Sequence, residues 1–296
     1  MVDTAKNKRK ICLITGATSG IGRAVALSLA EMGQAVIIVG RNEQKARRVC
    51  EQIKRWTHNE EITYYLCYLS KLSQVRETAG RIKADLPRLD ILINNAGARF
   101  LRHQLTAEGI ERTLATNHLG HFALTLSLLE LLERAAHSEG EARVINVSSG
   151  AHYGASGVIE NIKAAESYNG RLQYANSKLA NVLFTYALAE RVSERGIAVN
   201  AMEPGGVATN FGRNDGLIPW LRHRLYYLIK GGLLTPAQGA DTIVYLATDA
   251  GLRGVSGKYF ARRTEKASSE LSYRRELQQE LWRMSVELTG MDLALE

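Results

Sequence analysis

Tyr174 and Lys178 could move a proton together, because the sequence places them four residues apart. In a helix this spacing puts both side chains on one face. A phenol with a pKa near ~10 is a poor base at neutral pH, but a nearby ammonium stabilises the phenolate and lowers that pKa. The pair is therefore a candidate acid/base group. Taken alone, it is better explained as an aromatic side chain and a cation on an exposed helix face.

A glycine-rich turn near the start of the chain could hold a phosphate-bearing ligand. The run Gly16-Ala17-Thr18-Ser19-Gly20-Ile21-Gly22 follows an apolar segment and precedes a helical pattern. Glycines there allow a tight turn, a close backbone approach to a pyrophosphate and close helix–strand packing, and the helix start offers unpaired N–H groups. The sequence therefore predicts a dinucleotide site, and glycines that serve packing alone are the alternative.

The elements that must position these residues alternate along the chain. Short apolar runs predict buried parallel strands, and amphipathic stretches between them predict helices. This alternation predicts an α/β fold, a Rossmann-type doubly wound parallel sheet with helices on both faces. The predicted strands are Ile11–Thr15, Ala35–Val39, Ile62–Leu66, Leu89–Ile93, Arg143–Val147 and Ile197–Ala201. The predicted helices span residues 20–33, 42–56, 71–85, 106–134 and 172–194.

We expect a single domain over residues 1–296, because no Pro/Gly/Ser-rich linker divides the chain. Its expected parts are a basic N-terminal tail (1–10), a dinucleotide-binding half (11–100), a catalytic half (101–260) with a lid at about 205–235, and a C-terminal helical extension (261–296).

Composition excludes several classes of protein. The 38 Lys and Arg exceed the 30 Asp and Glu by +8, but the excess is thinly spread, so no nucleic-acid partner is expected. Cys12, Cys50 and Cys67 are widely spaced and no signal peptide precedes them, which indicates reduced thiols in a cytoplasmic protein. The longest apolar stretch, 122–132, is too short to span a bilayer, so we expect no transmembrane segment.

His118 and His121 could bring two metal ligands together on one helix face. No third ligand at suitable spacing accompanies them. We therefore expect core or capping histidines and no metal site.

Several short motifs, in this order, resemble those of the short-chain dehydrogenase/reductase family. The glycine spacing Gly16-x-x-x-Gly20-x-Gly22 resembles that family rather than ordinary Rossmann dehydrogenases. The other matching motifs are Asn94-Asn95-Ala96-Gly97, Asn117, Ser148-Ser149, Tyr174-x-x-x-Lys178 and Pro204-Gly205 with Thr209 beyond it. Any one could arise by chance, but their joint order makes coincidence an inadequate explanation.

The resemblance implies hydride transfer between a nicotinamide nucleotide and an alcohol or carbonyl compound. Tyr174 would exchange a proton with the substrate oxygen, Ser149 rather than Ser148 would donate a hydrogen bond to it, and Asn117 would anchor a water that links Lys178 to solvent. The expected catalytic residues are Asn117, Ser149, Tyr174 and Lys178. The expected cofactor-binding residues are Gly16, Thr18, Ser19, Gly20, Ile21, Gly22, Arg41, Asn95, Ala96, Gly97, Tyr174, Lys178, Pro204, Gly205, Val207 and Thr209.

Arg41 predicts NADP(H) as the cofactor. It lies nineteen residues after Gly22, where an acidic residue would favour NAD and an Arg accommodates the 2′-phosphate. Arg23 and Lys45 are candidate helpers, and a solvated charge at a strand end is the alternative for Arg41. Residues Cys67-Tyr68-Leu69-Ser70 depart from the family, which usually has an acidic residue beside the adenine there.

Segments 117–122, 144–152 and 174–184 narrow the resemblance to the retinol-dehydrogenase-like branch. That branch implies an apolar aldehyde or ketone, retinoid-like or steroid-like, as substrate. The expected substrate contacts are Ser149, His152, Tyr174 and Trp220. Segment 217–230, which contains Trp220, predicts an apolar lid, with a fixed helix or a membrane-surface helix as alternatives.

The sequence leaves other functions open. A nucleotide-binding regulatory protein without turnover is the main alternative, although such proteins typically lose the Tyr or the Lys. A sugar-nucleotide epimerase or dehydratase also shares the Tyr-x-x-x-Lys motif, with a differently spaced glycine turn. The resemblance further allows a homo-oligomer that pairs through the Tyr174 helix and segment 235–249.

Overall fold

The strands of the computed structural model form one sheet. The structure describes residues 9–157, 159–160, 165–209, 216 and 232–293. In chain order the strands are β1 (Ile11–Thr15), β2 (Ala35–Gly40), β3 (Ile62–Leu66), β4 (Ile91–Asn94), β5 (Ala142–Val147), β6 (Ile197–Glu203), β7 (Lys258–Ala261) and β8 (Thr264–Glu265). Their order across the sheet is β3-β2-β1-β4-β5-β6-β7-β8. The pairs run parallel except for β7–β8, which is antiparallel.

Helices connect these strands. They are α1 (Gly20–Glu31), α2 (Glu43–Thr57), α3 (Leu72–Asp85), α4 (Gly120–Ser127), α5 (Leu129–Glu139), α6 (Gly170–Arg191), α7 (Pro236–Thr248) and α8 (Arg275–Thr289). A short helical turn, Arg112–Leu114, and a π-helical segment, Ala115–Leu119, lead into α4. A 3₁₀ turn, Gly150–Gly154, follows β5.

Apolar side chains pack on both faces of the sheet. Leu13 and Ile14 are neighbours on β1 that point to opposite faces, yet both are fully buried. Leu13 belongs to the cluster that includes residues of α3, α4 and α6, whereas Ile14 belongs to the cluster that includes residues of α1, α2 and α7. The predicted doubly wound sheet with helices on both faces is therefore confirmed.

Most element boundaries lie within three residues of the sequence prediction, and the main differences are in three places. Strand β4 starts at Ile91 instead of Leu89. The helix predicted over 106–134 starts only at Arg112, passes through the π-helical segment and breaks at Leu128, whose ψ of 4° is not helical. Strands β7 and β8 were not predicted, and β8 lies inside the expected helical extension. Each difference depends on tertiary contacts that a local apolar pattern does not record.

The C-terminal helix α8 packs against α6 and the π-helical segment. Trp282 of α8 makes an edge contact with Phe122 at a centroid distance of 5.1 Å, and the guanidinium carbon of Arg191 lies 4.1 Å from the Trp282 ring centroid. This helix therefore covers part of the surface of α6 within the same chain. No helix in the described part of the chain is long and apolar enough to cross a membrane. The predicted lid, residues 217–230 with Trp220, lies outside the described residues.

Candidate active site

The turn between β1 and α1 needs glycine for steric reasons. A Cβ on Gly16, whose φ is +69°, would lie 2.8 Å from the Cα of Ala96. A Cβ on Gly22 would lie 2.5 Å from Nδ2 of Asn95, which donates a hydrogen bond to the Thr15 carbonyl at 2.8 Å. Both distances are shorter than real Cβ contacts, so these positions accept glycine alone.

The first N–H groups of α1 face the space beside this glycine turn. Ser19 is the extended N-cap residue, and its side chain makes no capping hydrogen bond. Gly20, with φ +57°, packs against the Thr209 side chain, which a Cβ would approach to 3.1 Å. Unpaired N–H groups and the positive end of the helix dipole favour an anion at this point. The local geometry therefore fits a pyrophosphate.

One cavity of about 1040 Å³ begins at this turn and continues to Tyr174. Each predicted cofactor-binding residue lines it. Starting at the glycine turn, they are Gly16, Thr18, Ser19, Gly20, Ile21, Gly22, Arg41, Asn95, Ala96, Gly97, Tyr174, Lys178, Pro204, Gly205, Val207 and Thr209. The fold thus brings residues of five separate chain segments to the carboxyl ends of the strands, where open α/β sheets bind their ligands.

Arg41 lies at the far end of this cavity, directly after β2. Lys45 and Tyr68 line the same end, and the Tyr68 side chain is 42% exposed at the cavity surface. Arg23 is not a lining residue. It donates to Gln52 at 3.2 Å and lies 5.3 Å from the Trp56 ring centroid, so the structure does not support it as a helper.

Lys178 is buried beside the tyrosine. It is 3% exposed, and its Nζ donates a hydrogen bond to the Val147 carbonyl at 3.0 Å. The Nζ lies 5.9 Å from the ring centroid of Tyr174, which is half-buried and lines the cavity. Burial lowers the pKa of Lys178 to about 8. At neutral pH the side chain is therefore mostly an ammonium, close enough to stabilise a phenolate.

Asn117 holds the backbone next to the cavity rather than lining it. Its Nδ2 donates to the Ala98 carbonyl at 2.9 Å, and its Oδ1 accepts from the Ala98 N–H at 2.8 Å. Nδ2 also donates to the Ser177 hydroxyl at 2.9 Å. The side chain is fully buried and joins the segment after β4 to α6. The π-helical segment that contains Asn117 gives it this orientation.

A buried histidine connects Asn117 to the glycine turn, and the sequence analysis missed this role. The Thr15 hydroxyl oxygen accepts from the N–H groups of Asn95 and Ala96, each at 3.0 Å. Its O–H can then donate to Nε2 of His121, at 2.9 Å. The other ring nitrogen, Nδ1, lies 3.0 Å from the Asn117 carbonyl oxygen. Burial lowers the His121 pKa to about 3, so the ring is neutral and can accept at one nitrogen while it donates at the other.

The two serines after β5 have different partners. The Ser148 hydroxyl is buried and donates to the Lys178 carbonyl at 2.7 Å, which fixes α6 against the strand. The Ser149 side chain lines the cavity, and its oxygen accepts from the Ala151 N–H at 3.2 Å. That bond leaves the Ser149 O–H able to donate to a substrate oxygen.

His152, predicted to contact the substrate, does not line the cavity. It is fully buried, with Nδ1 2.8 Å from the Ser149 carbonyl oxygen and Nε2 accepting from the Ser269 N–H at 3.0 Å. Its ring packs against Tyr153 at a centroid distance of 4.1 Å. The 3₁₀ turn thus directs the His152 ring into these buried contacts, and its contact with the substrate stays a prediction. The other predicted contact, Trp220, lies outside the described residues.

His118 and His121 point to different partners. Nε2 of His118 lies 2.8 Å from the Ser285 hydroxyl on α8, whereas His121 contacts Thr15. Among the described residues, no group of three His, Cys, Asp or Glu side chains could hold a metal ion.

Comparison with known proteins identifies the family. Residues 10–216 match the family model described as short chain dehydrogenase. The chain belongs to the short-chain dehydrogenase/reductase family. It is 36% identical over 286 residues to human polyprenol dehydrogenase, covering 95% of this chain and 86% of that protein. It is 34% identical over 284 residues to human retinol dehydrogenase 11, covering 96% and 87%. The predicted family and its retinol-dehydrogenase-like branch are thus confirmed.

Solved structures agree with this assignment. An uncharacterized protein from Mycobacterium paratuberculosis is similar over 97% of this chain and 96% of its own, with a TM-score of 0.75 and 29% identity. A short chain dehydrogenase from Escherichia coli CFT073, crystallised with NADPH, is similar over 86% of this chain and 97% of its own, with a TM-score of 0.65 and 26% identity. This chain is therefore an oxidoreductase of a family that uses nicotinamide nucleotides.

Proposed function

We propose that this protein interconverts an alcohol and a carbonyl compound with NADP(H), and that Tyr174 is its acid/base group. The observation that carries the proposal is a single cavity. The phosphate-binding glycine turn lies at one part of it, and Tyr174, Lys178 and Ser149 lie at another. A nicotinamide nucleotide supplies hydride exchange when it is bound. The steric fit at Gly16 and Gly22 supports its binding here.

Three side chains act on the substrate oxygen in this proposal. The Tyr174 hydroxyl gives a proton to the oxygen in reduction and takes it back in oxidation. The Lys178 ammonium lowers the pKa of the phenol, so that the proton can leave at neutral pH. The Ser149 O–H donates a hydrogen bond to the oxygen, where negative charge develops during reduction. Asn117 holds the Ala98 backbone and the Ser177 hydroxyl in place, and Ser177 lies next to Lys178 in α6.

NADP(H) is the proposed cofactor because of the charges at the far end of the cavity. Arg41 and Lys45 both line that end, and a guanidinium can hold a phosphate through two parallel hydrogen bonds. The NADPH in the Escherichia coli structure supports the same choice. An NAD-specific site would place a carboxylate after β2.

The proposed substrate is a carbonyl compound with an apolar body. Ala98, Phe100, Ala151 and Leu233 line the cavity together with Tyr174 and provide apolar surface. The names of the relatives, retinol dehydrogenase and polyprenol dehydrogenase, describe alcohols with apolar bodies and support this substrate class.

The test is a nucleotide-consumption assay with purified protein. NADPH absorbance is followed with aldehydes, ketones and quinones, and NADP⁺ reduction is followed with the matching alcohols. We expect consumption with at least one apolar compound and slower consumption when NADH replaces NADPH. Arg41→Gln should reduce that preference, whereas the matched variant Arg23→Gln should keep it. Tight NADPH binding without consumption of any compound would contradict the proposal and favour a nucleotide-binding protein.

A further inference from the structure

The substrate side of the cavity carries positive charge that a neutral carbonyl compound would not use. Arg112 and Arg171 line the cavity together with Tyr174. Reduction of a neutral carbonyl needs one proton donor and one hydride donor, and the Lys178 ammonium already serves the phenol. These arginines therefore require a different explanation.

The two arginines come from separate segments, and both segments reach Phe100. The guanidinium carbon of Arg112 lies 4.6 Å from the Phe100 ring centroid. Arg171 follows Gly170, and a Cβ on Gly170 would lie 2.4 Å from the Phe100 carbonyl oxygen. Tertiary packing, rather than sequence proximity, therefore brings the segments that carry Arg112 and Arg171 to Phe100.

Arg171 also lies on the same face of α6 as the proposed acid/base group. Arg171, Tyr174 and Lys178 are spaced i, i+3 and i+7 on α6, and all three line the cavity. Arg171 is exposed. It lies about 4.5 Å from Tyr174 along the helix axis, on the N-terminal side. It occupies the first turn of the 22-residue helix α6, where the helix dipole adds positive potential.

Acidic side chains are scarce in the described lining of the cavity. Glu203 is the one carboxylate among the described lining residues, and it accepts from Nζ of Lys266 at 2.9 Å. Arg112 donates to the neutral amide of Gln104, so its charge remains. Among the described lining residues cations therefore outnumber carboxylates, which favours the binding of an anion.

We propose that the natural substrate carries an anionic group, a carboxylate or a phosphate, at a distance from its reactive carbonyl. Arg112 and Arg171 bind that group, since guanidinium forks match the geometry of both anions. The Phe100 ring supports the apolar chain between the two ends. The inference rests on the proposed function, because it assigns the far end of the same substrate.

Matched substrates test the inference. The compounds are a medium-chain ω-oxo fatty acid, its methyl ester, and the ω-oxoalkyl phosphate of equal chain length, each assayed with NADPH. A charge-assisted hydrogen bond predicts that one or both anions exceed the ester about tenfold or more in kcat/KM. Arg171→Gln and Arg112→Gln should each reduce that ratio. Arg134→Gln, an exposed residue of α5, should keep it. The carboxylate and phosphate arms show which anion fits.

A binding experiment separates the anion site from the chemistry. Tyr174→Phe protein loaded with NADP⁺ is titrated calorimetrically with the ω-hydroxy acid, the ω-hydroxyalkyl phosphate and the methyl ester. We expect at least one anion to bind about tenfold tighter than the ester, and Arg171→Gln to remove the difference. Equal affinity of the ester and both anions would overturn the inference even if the parent protein reduces neutral carbonyls. Preferential anion binding in a protein that turns over no compound would support the arginine site and refute the proposed reaction.

Discussion

Acid should destabilise this protein through two buried histidines, His118 and His121. Burial lowers the pKa of each ring to about 3, from an ordinary value of 6.5. The native state therefore keeps both rings neutral, while the unfolded state binds protons once the pH falls below about 6.5. Their contribution to stability is fully present above that pH and is lost progressively between about pH 6.5 and pH 3.

The size of the effect follows from the pKa difference. At about pH 5 an unfolded histidine is almost fully protonated, whereas each native ring is not. Because one pKa unit corresponds to 1.36 kcal/mol, each ring lowers the free energy of unfolding by about 2 kcal/mol between about pH 8 and pH 5. The two rings together give about 4 kcal/mol. That is a large part of the stability of a typical domain.

Urea unfolding curves recorded across this pH range measure the effect. In His118→Gln the amide can still donate to the Ser285 hydroxyl, but it does not titrate, so the loss of stability between about pH 8 and pH 5 should shrink by about 2 kcal/mol. The reasoning would be refuted if His118→Gln kept the full pH dependence of the parent.

Three further predictions concern the site. Gly16→Ala should weaken NADPH binding about tenfold or more in a fluorescence titration, because the added Cβ has no space. Gly33 has a similar φ but open space around it, so Gly33→Ala is the control. Equal losses of NADPH affinity in the two variants would contradict the steric argument. Ser149→Ala should lower kcat about 10²-fold or more at unchanged NADPH affinity, so a parental kcat would exclude the proposed hydrogen bond. His152→Phe should lower kcat severalfold without changing NADPH affinity, since the ring of His152 bonds to the Ser149 carbonyl through Nδ1. A selective loss of NADPH affinity would argue against that placement.

The sheet was predictable because each of its first six strands is a short and mostly apolar run. Every side chain of β5, for example, is buried, and continuous burial leaves a clear signal in the sequence. Strand β7 leaves less, because it has four residues and begins with an exposed lysine. The break at Leu128 leaves none, because leucine is a good helix former and the surrounding packing imposes the change.

The site was predictable where a motif fixes the backbone and unpredictable where a side chain meets a distant segment. The glycine turn and the Tyr174–Lys178 pair have local spacing rules, so their placement in one cavity could be expected. His152 bonds to Ser269, 117 residues away, and His121 bonds to Thr15, 106 residues away. Neither partner could be inferred from neighbouring residues, since both contacts depend on the packing of separate elements.

The Tyr174→Phe variant tests the central claim most directly, with NADPH affinity and steady-state turnover measured on the same preparation. Phenylalanine keeps the ring beside Lys178 and removes only the hydroxyl. We predict parental NADPH affinity and a fall in turnover of about 10²-fold to 10⁴-fold, the usual contribution of a general acid. Turnover near the parental rate would show that another group protonates the substrate oxygen, and the assignment of Tyr174 would be wrong.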